Sequence, residues 1–149
     1  MFISCNNSVD GKEEDKIFHA GPVNSGVGVI FFALYKENKY QFCDGNAFFP
    51  GGYTGSYKLF GDTLILYGLK NSHQGIPTNK FIIRRYADMD STYWQWKYTH
   101  SRLKWQDLKY SDESKSSTGD VFPLDAQGRI VFDINNYWLI RLDSLKNNP

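Results

Sequence analysis

The sequence predicts an all-β domain, an antiparallel meander of about eight or nine short strands forming a small barrel or sandwich. Two observations point there. Aromatic residues make up 17% of the 149-residue chain, and aromatic side chains favour strands because they pack large areas across a pleated surface. Apolar segments also recur every ~10 to 15 residues between Gly, Pro, Asn and Asp clusters, with too few helical repeats for βαβ units.

Taken in order, Val27 to Tyr35 (VGVIFFALY) is apolar on both faces and reads as a deeply buried strand. Lys36 to Lys39 turns the chain, and Tyr40 to Cys43 returns as the second arm of a hairpin. Asp44 to Gly52 is a loop rich in Gly and Pro. Tyr53, Tyr57 and Leu59 then alternate with polar residues, as a half-buried strand requires. Gly61-Asp62 makes a two-residue turn, because glycine reaches positive φ without a Cβ clash, and Thr63 to Tyr67 completes a central hairpin.

Asn71 to Asn79 reads as a loop and Lys80 to Tyr86 as a strand with Phe81 and Ile83 on one face. Tyr93 to Thr99 (YWQWKYT) alternates aromatic and polar residues and is expected as a strand. Leu103 to Tyr110 fits both periods, with strand preferred. Ser111 to Asp120 is the most polar tract and reads as an exposed, mobile loop. Ile130 to Phe132 and Tyr137 to Leu142 are the last strands, before a tail from Lys146 to Pro149.

Composition narrows the function classes. The chain has 17 Lys and Arg against 16 Asp and Glu, a formal net charge of +1. Such balance carries no basic footprint for nucleic acid or anionic membranes. No run reaches the ~18 apolar residues of a membrane span. The two cysteines, Cys5 and Cys43, are far apart and form no CxxC, so neither a disulfide scaffold nor a thiolate zinc site is expected. Cys43 reads as a small buried hydrophobe rather than a nucleophile. The histidines His19, His73 and His100 have no metal-ligand spacing. Neither a metal nor a cofactor is expected.

Catalytic motifs are scarce. Asp88-Met89-Asp90-Ser91-Thr92 follows an apolar strand and is similar to the D-x-D-x-T signature of haloacid-dehalogenase-type phosphatases. That likeness would make Asp88 the nucleophile and Asp90 the general acid/base around Mg²⁺. The motif works at the carboxyl end of a parallel strand, whereas the flanks here read as antiparallel. A turn explains the same residues. No nucleophile elbow, P-loop or H-E-x-x-H occurs, so a non-enzymatic protein is expected. The best candidate surface is the aromatic segment: as a strand, it places Trp94, Trp96, Tyr98 and His100 on one face, and Gln95, Lys97 and Thr99 on the other, toward solvent. Such a row either stacks a ligand or anchors a partner, or it fills the core.

At the N-terminus, Phe2-Ile3-Ser4-Cys5 resembles a lipobox, the motif at which bacterial lipoprotein signals are cleaved. The resemblance implies lipid attachment at Cys5, followed by a polar tether from Asn6 to Lys16. The sequon Asn6-Asn7-Ser8 implies a different kind of cell and is set aside. The expected organisation is a truncated lipoprotein signal remnant and tether over 1–20 and one β domain over 21–149. Together with the hairpin motif Gly55, Tyr57, Gly61, Asp62, Thr63, Leu64 and Leu66, this start resembles small β-rich lipoproteins of Bacteroidota envelopes, with lipocalin-like architecture.

That resemblance implies a lipid-anchored location at the cell envelope, facing the periplasm or the surface; a cytoplasmic location is the alternative. The function expected first is a non-enzymatic binding module for a protein or small ligand, touching the membrane only through Cys5. The second is an immunity protein against an antibacterial toxin, with Asp112 and Glu113 as contacts. A lipocalin-like carrier of a small apolar ligand is the third.

Overall fold

Each strand of this chain carries one row of large apolar side chains, and the sheet buries all of these rows at once by rolling onto itself. The computed structural model describes residues 13–22, 28–46, 52–69, 79–101, 117–132 and 137–145. Eight strands form a closed barrel in strict sequence order: β1 (Lys16–Pro22), β2 (Gly28–Tyr35), β3 (Lys39–Asn46), β4 (Gly52–Phe60), β5 (Thr63–Leu66), β6 (Lys80–Arg85), β7 (Gly119–Pro123) and β8 (Trp138–Asp143). All neighbours are antiparallel, and β1 pairs with β8 to close the ring. The expected all-β barrel is therefore the fold, with eight strands.

Several strands match expectation. Phe32 to Tyr35 are buried on both faces of β2, as a continuous apolar run requires. The central hairpin pairs Tyr57 with Leu66 and Phe60 with Thr63, and Gly61 takes φ 59° in its turn. The β2–β3 turn is a 3₁₀ turn, Lys36–Asn38, in which Glu37 and Asn38 have positive φ.

Other boundaries move. The β domain expected from residue 21 already includes β1, which sends Ile17, Phe18 and Ala20 into the core. Ile17 and Phe18 both reach the core because a register shift between Lys16 and Phe18 breaks the alternation. The tract expected as an exposed loop to Asp120 ends in β7, where Asp120 is fully buried. Leu124 and Ile130 form an isolated bridge around a turn at Asp125, whose carboxylate accepts from the amides of Gln127 and Arg129. The segment 103–110 lies outside the described residues.

The barrel interior is a stack of rings. Phe32 lies 5.9 Å from Phe18, 5.8 Å from Phe81 and 5.7 Å from Trp138, between ring centroids. Phe42 joins at 6.3 Å from both Phe81 and Trp138. These spacings are those of packed aromatic pairs, so side chains occupy this level of the interior. An eight-stranded barrel is just wide enough for that filling. Gly55 makes room for one more ring: a Cβ there would lie 2.9 Å from Tyr40 Cε1 and 2.6 Å from the Tyr67 carbonyl oxygen. Tyr40 sits opposite Gly55 in the ladder and donates its hydroxyl to that carbonyl at 2.7 Å.

At the end holding the β4–β5 turn, Arg85 bonds Asp143 at 2.5 Å and Asp62 at 3.2 Å, linking β6 to β8 and to the turn. Backbone bonds reinforce this end: Ile83 donates to the Asp62 carbonyl, and Ser144 to that of Ile17.

Two outcomes test this packing. Gly55→Ala forces the Tyr40 ring or the backbone at Tyr67 to move, and is expected to lower unfolding free energy by about 1–3 kcal/mol in urea titration. Burial pushes the Tyr40 phenol from 10.0 up to about 12. The folded state therefore keeps a proton that the unfolded chain releases. Tyr40's contribution to stability is complete below pH 10 and is lost as pH rises toward about 12. Unfolding measured across that window should show a shallower decline in Tyr40→Phe than in the wild type.

Candidate functional site at the outer barrel wall

The segment expected as an aromatic strand is an α-helix, α1 (Ser91–Ser101). Its start is built by Asp90, whose Oδ1 accepts from the amides of Thr92 at 3.0 Å and Tyr93 at 3.3 Å. This is an N-cap, which satisfies donors that the first helical turn leaves unpaired. The D-x-D-x-T segment thus enters the fold as a 3₁₀ turn, Tyr86–Asp88, followed by a helix cap.

The helical period redistributes the aromatic row. Residues three and four apart share a helix face, whereas residues two apart do not. The single face expected for Trp94, Trp96, Tyr98 and His100 is therefore replaced by two flanks, Trp94 with Tyr98 and Trp96 with His100. Between them, Tyr93 and Lys97 point at the barrel. Trp94 is buried, with its ring 4.9 Å from Tyr86. Trp96 is half-buried, edge-on to Phe122 and Phe132 at 5.6 Å each. His100 is exposed, 4.8 Å from the Trp96 ring, and its Nδ1 lies 2.8 Å from the Trp96 carbonyl oxygen. Tyr98 is 37% exposed.

What α1 covers is the outer face of β7 and β8. Phe122, Tyr137 and Leu139 form a second apolar cluster there, with Tyr93, Trp96, Ile82, Ile130 and Phe132 packed on it. Phe122 stacks on Tyr137 at 5.4 Å, and Phe132 on Tyr137 at 5.5 Å. Leaving this wall in water would expose a contiguous apolar patch, which α1 removes.

Inside that interface lies a charged pair. Lys97, expected to face solvent, is fully buried, as is Asp120. The Lys97 ammonium donates to Asp120 Oδ2 at 2.8 Å. The Tyr86 hydroxyl donates to Oδ1 at 2.6 Å, and the Tyr93 hydroxyl also donates to Oδ2. The carboxylate thus receives three donors, which replace part of the water it loses on burial. Burial nonetheless pushes the Asp120 carboxyl above its ordinary range, against the pull of Lys97 and the two phenols. Burial, followed by the nearby Asp120 charge, pushes the Tyr93 phenol up as well.

The remaining candidates are placed as follows. Cys43 is fully buried, as expected, but is disulfide-bonded rather than a free thiol. Cys5, His73, Asp112 and Glu113 lie outside the described residues. His19 packs beside Phe31 at 5.6 Å, and burial lowers its pKa. Among the described residues, no group of three or more His, Cys, Asp or Glu is placed to hold a metal ion. No described helix is long and apolar enough to cross a membrane.

The residues that sequence reading missed are Lys97, Asp120, Tyr86 and Tyr137. A signal was present: Asp90-Ser91-Thr92 is a good helix start, and the helical spacing of Trp94 and Lys97 follows it. Comparison with protein-family models, curated proteins and solved structures finds no match.

Removing one partner of the buried pair leaves the other desolvated without compensation. Lys97→Met and Asp120→Asn are each expected to cost about 3–5 kcal/mol, with the double substitution costing clearly less than the sum. A double-mutant cycle from chemical denaturation checks this. Additive losses would mean that the two side chains do not stabilise each other.

Proposed function

We propose that this protein is a non-enzymatic binding module of the bacterial cell envelope, recognising a protein partner with the outward side of α1. The observation that carries the reading is the division of aromatic residues between inside and outside. Phe32, Phe42, Phe81 and Trp138 occupy the barrel interior, which weighs against a lipocalin-like carrier and favours recognition on the outer surface. There, α1 presents exposed Tyr98 and His100 on opposite flanks, with exposed Gln95 and Thr99 between them. Tyrosine beside adaptable polar groups is the composition of protein-recognition surfaces.

The location is supported by either of two alternative features. Structural disulfides persist in oxidising compartments outside the cytosol, and Cys43 is oxidised. The lipobox-like start implies export and a lipid at Cys5. Both features draw on the two thiols of the sequence, so within a single chain a Cys43 disulfide and a lipid on the Cys5 sulfur exclude each other. Intact mass of the protein purified from envelopes, with and without reduction, distinguishes a diacylglyceryl adduct from an oxidised pair.

The binding reading is tested with a photo-crosslinking amino acid placed at Tyr98 in the native host, and at Lys36 in the β2–β3 turn as a control. A discrete protein adduct from position 98 alone is the expected result. A secreted toxin as that adduct would turn the reading into the immunity function. No adduct at Tyr98, or an equal adduct at Lys36, would remove α1 as the recognition surface.

A further inference from the structure

The surroundings of Lys97 hold more than its ion pair. Its ammonium lies 4.7 Å from the Tyr137 ring centroid, 5.3 Å from that of Trp94 and 5.6 Å from that of Tyr86. All three distances fall within the ~6 Å over which a cation is attracted by an aromatic face. The Asp120 carboxylate completes the enclosure at 2.8 Å. The four walls come from separate places in the chain: the 3₁₀ turn after β6 (Tyr86), α1 (Trp94), β7 (Asp120) and the residue before β8 (Tyr137). Several aromatic faces with one carboxylate is the chemistry by which proteins recognise organic ammonium ions.

We propose that Tyr86, Trp94, Tyr137 and Asp120 form a binding cage for a primary alkylammonium, whose resident ligand is Lys97 of the same chain. Docking of α1 then brings Tyr86, Tyr137 and Asp120 around the ammonium that α1 carries beside Trp94, a cation-recognition event held within one molecule. Apolar contact between Trp96, Phe122 and Phe132 supplies area, and the cage supplies selectivity for a charged, unbranched alkyl chain. Lys97 reaches it with its four-carbon stem buried and its charge enclosed. Neither charge nor shape alone satisfies the cage: a methionine has the stem without the charge, and an arginine has a planar fork too wide for a compact ammonium site. The proposal is independent of which partner binds the outside of α1.

The test is chemical rescue of the full-length chain. Lys97→Ala keeps Cβ and deletes three carbons and the nitrogen, the outline of n-propylammonium. This variant should melt well below the wild type. Adding n-propylammonium should restore most of the lost melting temperature, with saturation, while 1-propanol and sodium chloride at matched concentrations should not. The wild type and Lys97→Met, whose cages are filled, should show no such saturable gain. If Lys97→Ala does not fold alone, refolding followed by near-ultraviolet circular dichroism is the readout: native signal should return with n-propylammonium and not with 1-propanol. Asp120→Asn combined with Lys97→Ala should abolish the rescue. Equal rescue by 1-propanol would show an apolar void rather than a cation cage, and absence of rescue by n-propylammonium in either readout would overturn the proposal outright.

Discussion

Closure of the sheet by β1 against β8 is the constraint on which the rest of the structure depends. Phe18 pairs with Asp143 and Pro22 with Trp138, so the first and last strands consume each other's free edges. An open eight-stranded meander would leave two edges able to pair with other chains. Closure also sets the interior width, which the rings of Phe32, Phe42, Phe81 and Trp138 fill. Phe32 touches four neighbouring rings from β1, β3, β6 and β8, so one residue holds strands distant in sequence. The Arg85 bridge to Asp143 and Asp62 fastens one end of the same ring of strands.

A closed barrel solves the interior and leaves a second problem outside. Phe122 and Leu139 alternate out of β7 and β8 because Val121, Trp138 and Ile140 alternate in. The outer wall at this place is too apolar for water, and α1 covers it. The helix is made of residues with modest intrinsic helix preference, Thr, Tyr, Trp and His. Its stability must come from the Asp90 cap and from docking. The Lys97–Asp120 pair is buried within that docking surface. A pair of this kind is weak as a source of stability but strong as a source of registry, because sliding the helix by one turn would strand both charges. The same interface that hides Trp94 leaves Tyr98 and His100 at its flanks, so packing and candidate recognition are set by one helix orientation.

Legibility of the chain divided along the line between local and distant causes. The hairpin from Tyr53 to Leu66 was legible because its pattern has a local origin: alternate residues face the core, and Gly61 accepts positive φ. The buried run of β2 was legible for the same reason. β1 was not, because a register shift at Ile17 disturbs its alternation and a polar stretch leads into it. β7 was not, because Asp120 falls at the end of the most polar tract yet is buried by partners 23 and 34 residues away. Helix α1 reads locally as a strand because Trp94, Trp96 and Tyr98 recur with period two. The competing period, set by Tyr93, Trp94, Trp96, Lys97 and His100, becomes visible only once the outer wall is known.

The sequence by itself determined the all-β class, the central hairpin, the buried run of β2 and the near-neutral charge, since each follows from composition or from periodicity within a few residues. The tertiary structure alone decided that the sheet closes, that the Tyr93 to Thr99 segment is a helix, and that a lysine and an aspartate belong in the interior. The physical reason is that these features depend on which surfaces remain uncovered after the strands pair. A side chain expected in water becomes the centre of an interface when closure turns an apolar wall outward and a capped helix is the nearest cover. In Lys97, local pattern predicts solvent exposure, whereas its helix neighbour Trp94 and, from elsewhere in the chain, Tyr86, Tyr137 and Asp120 enclose it.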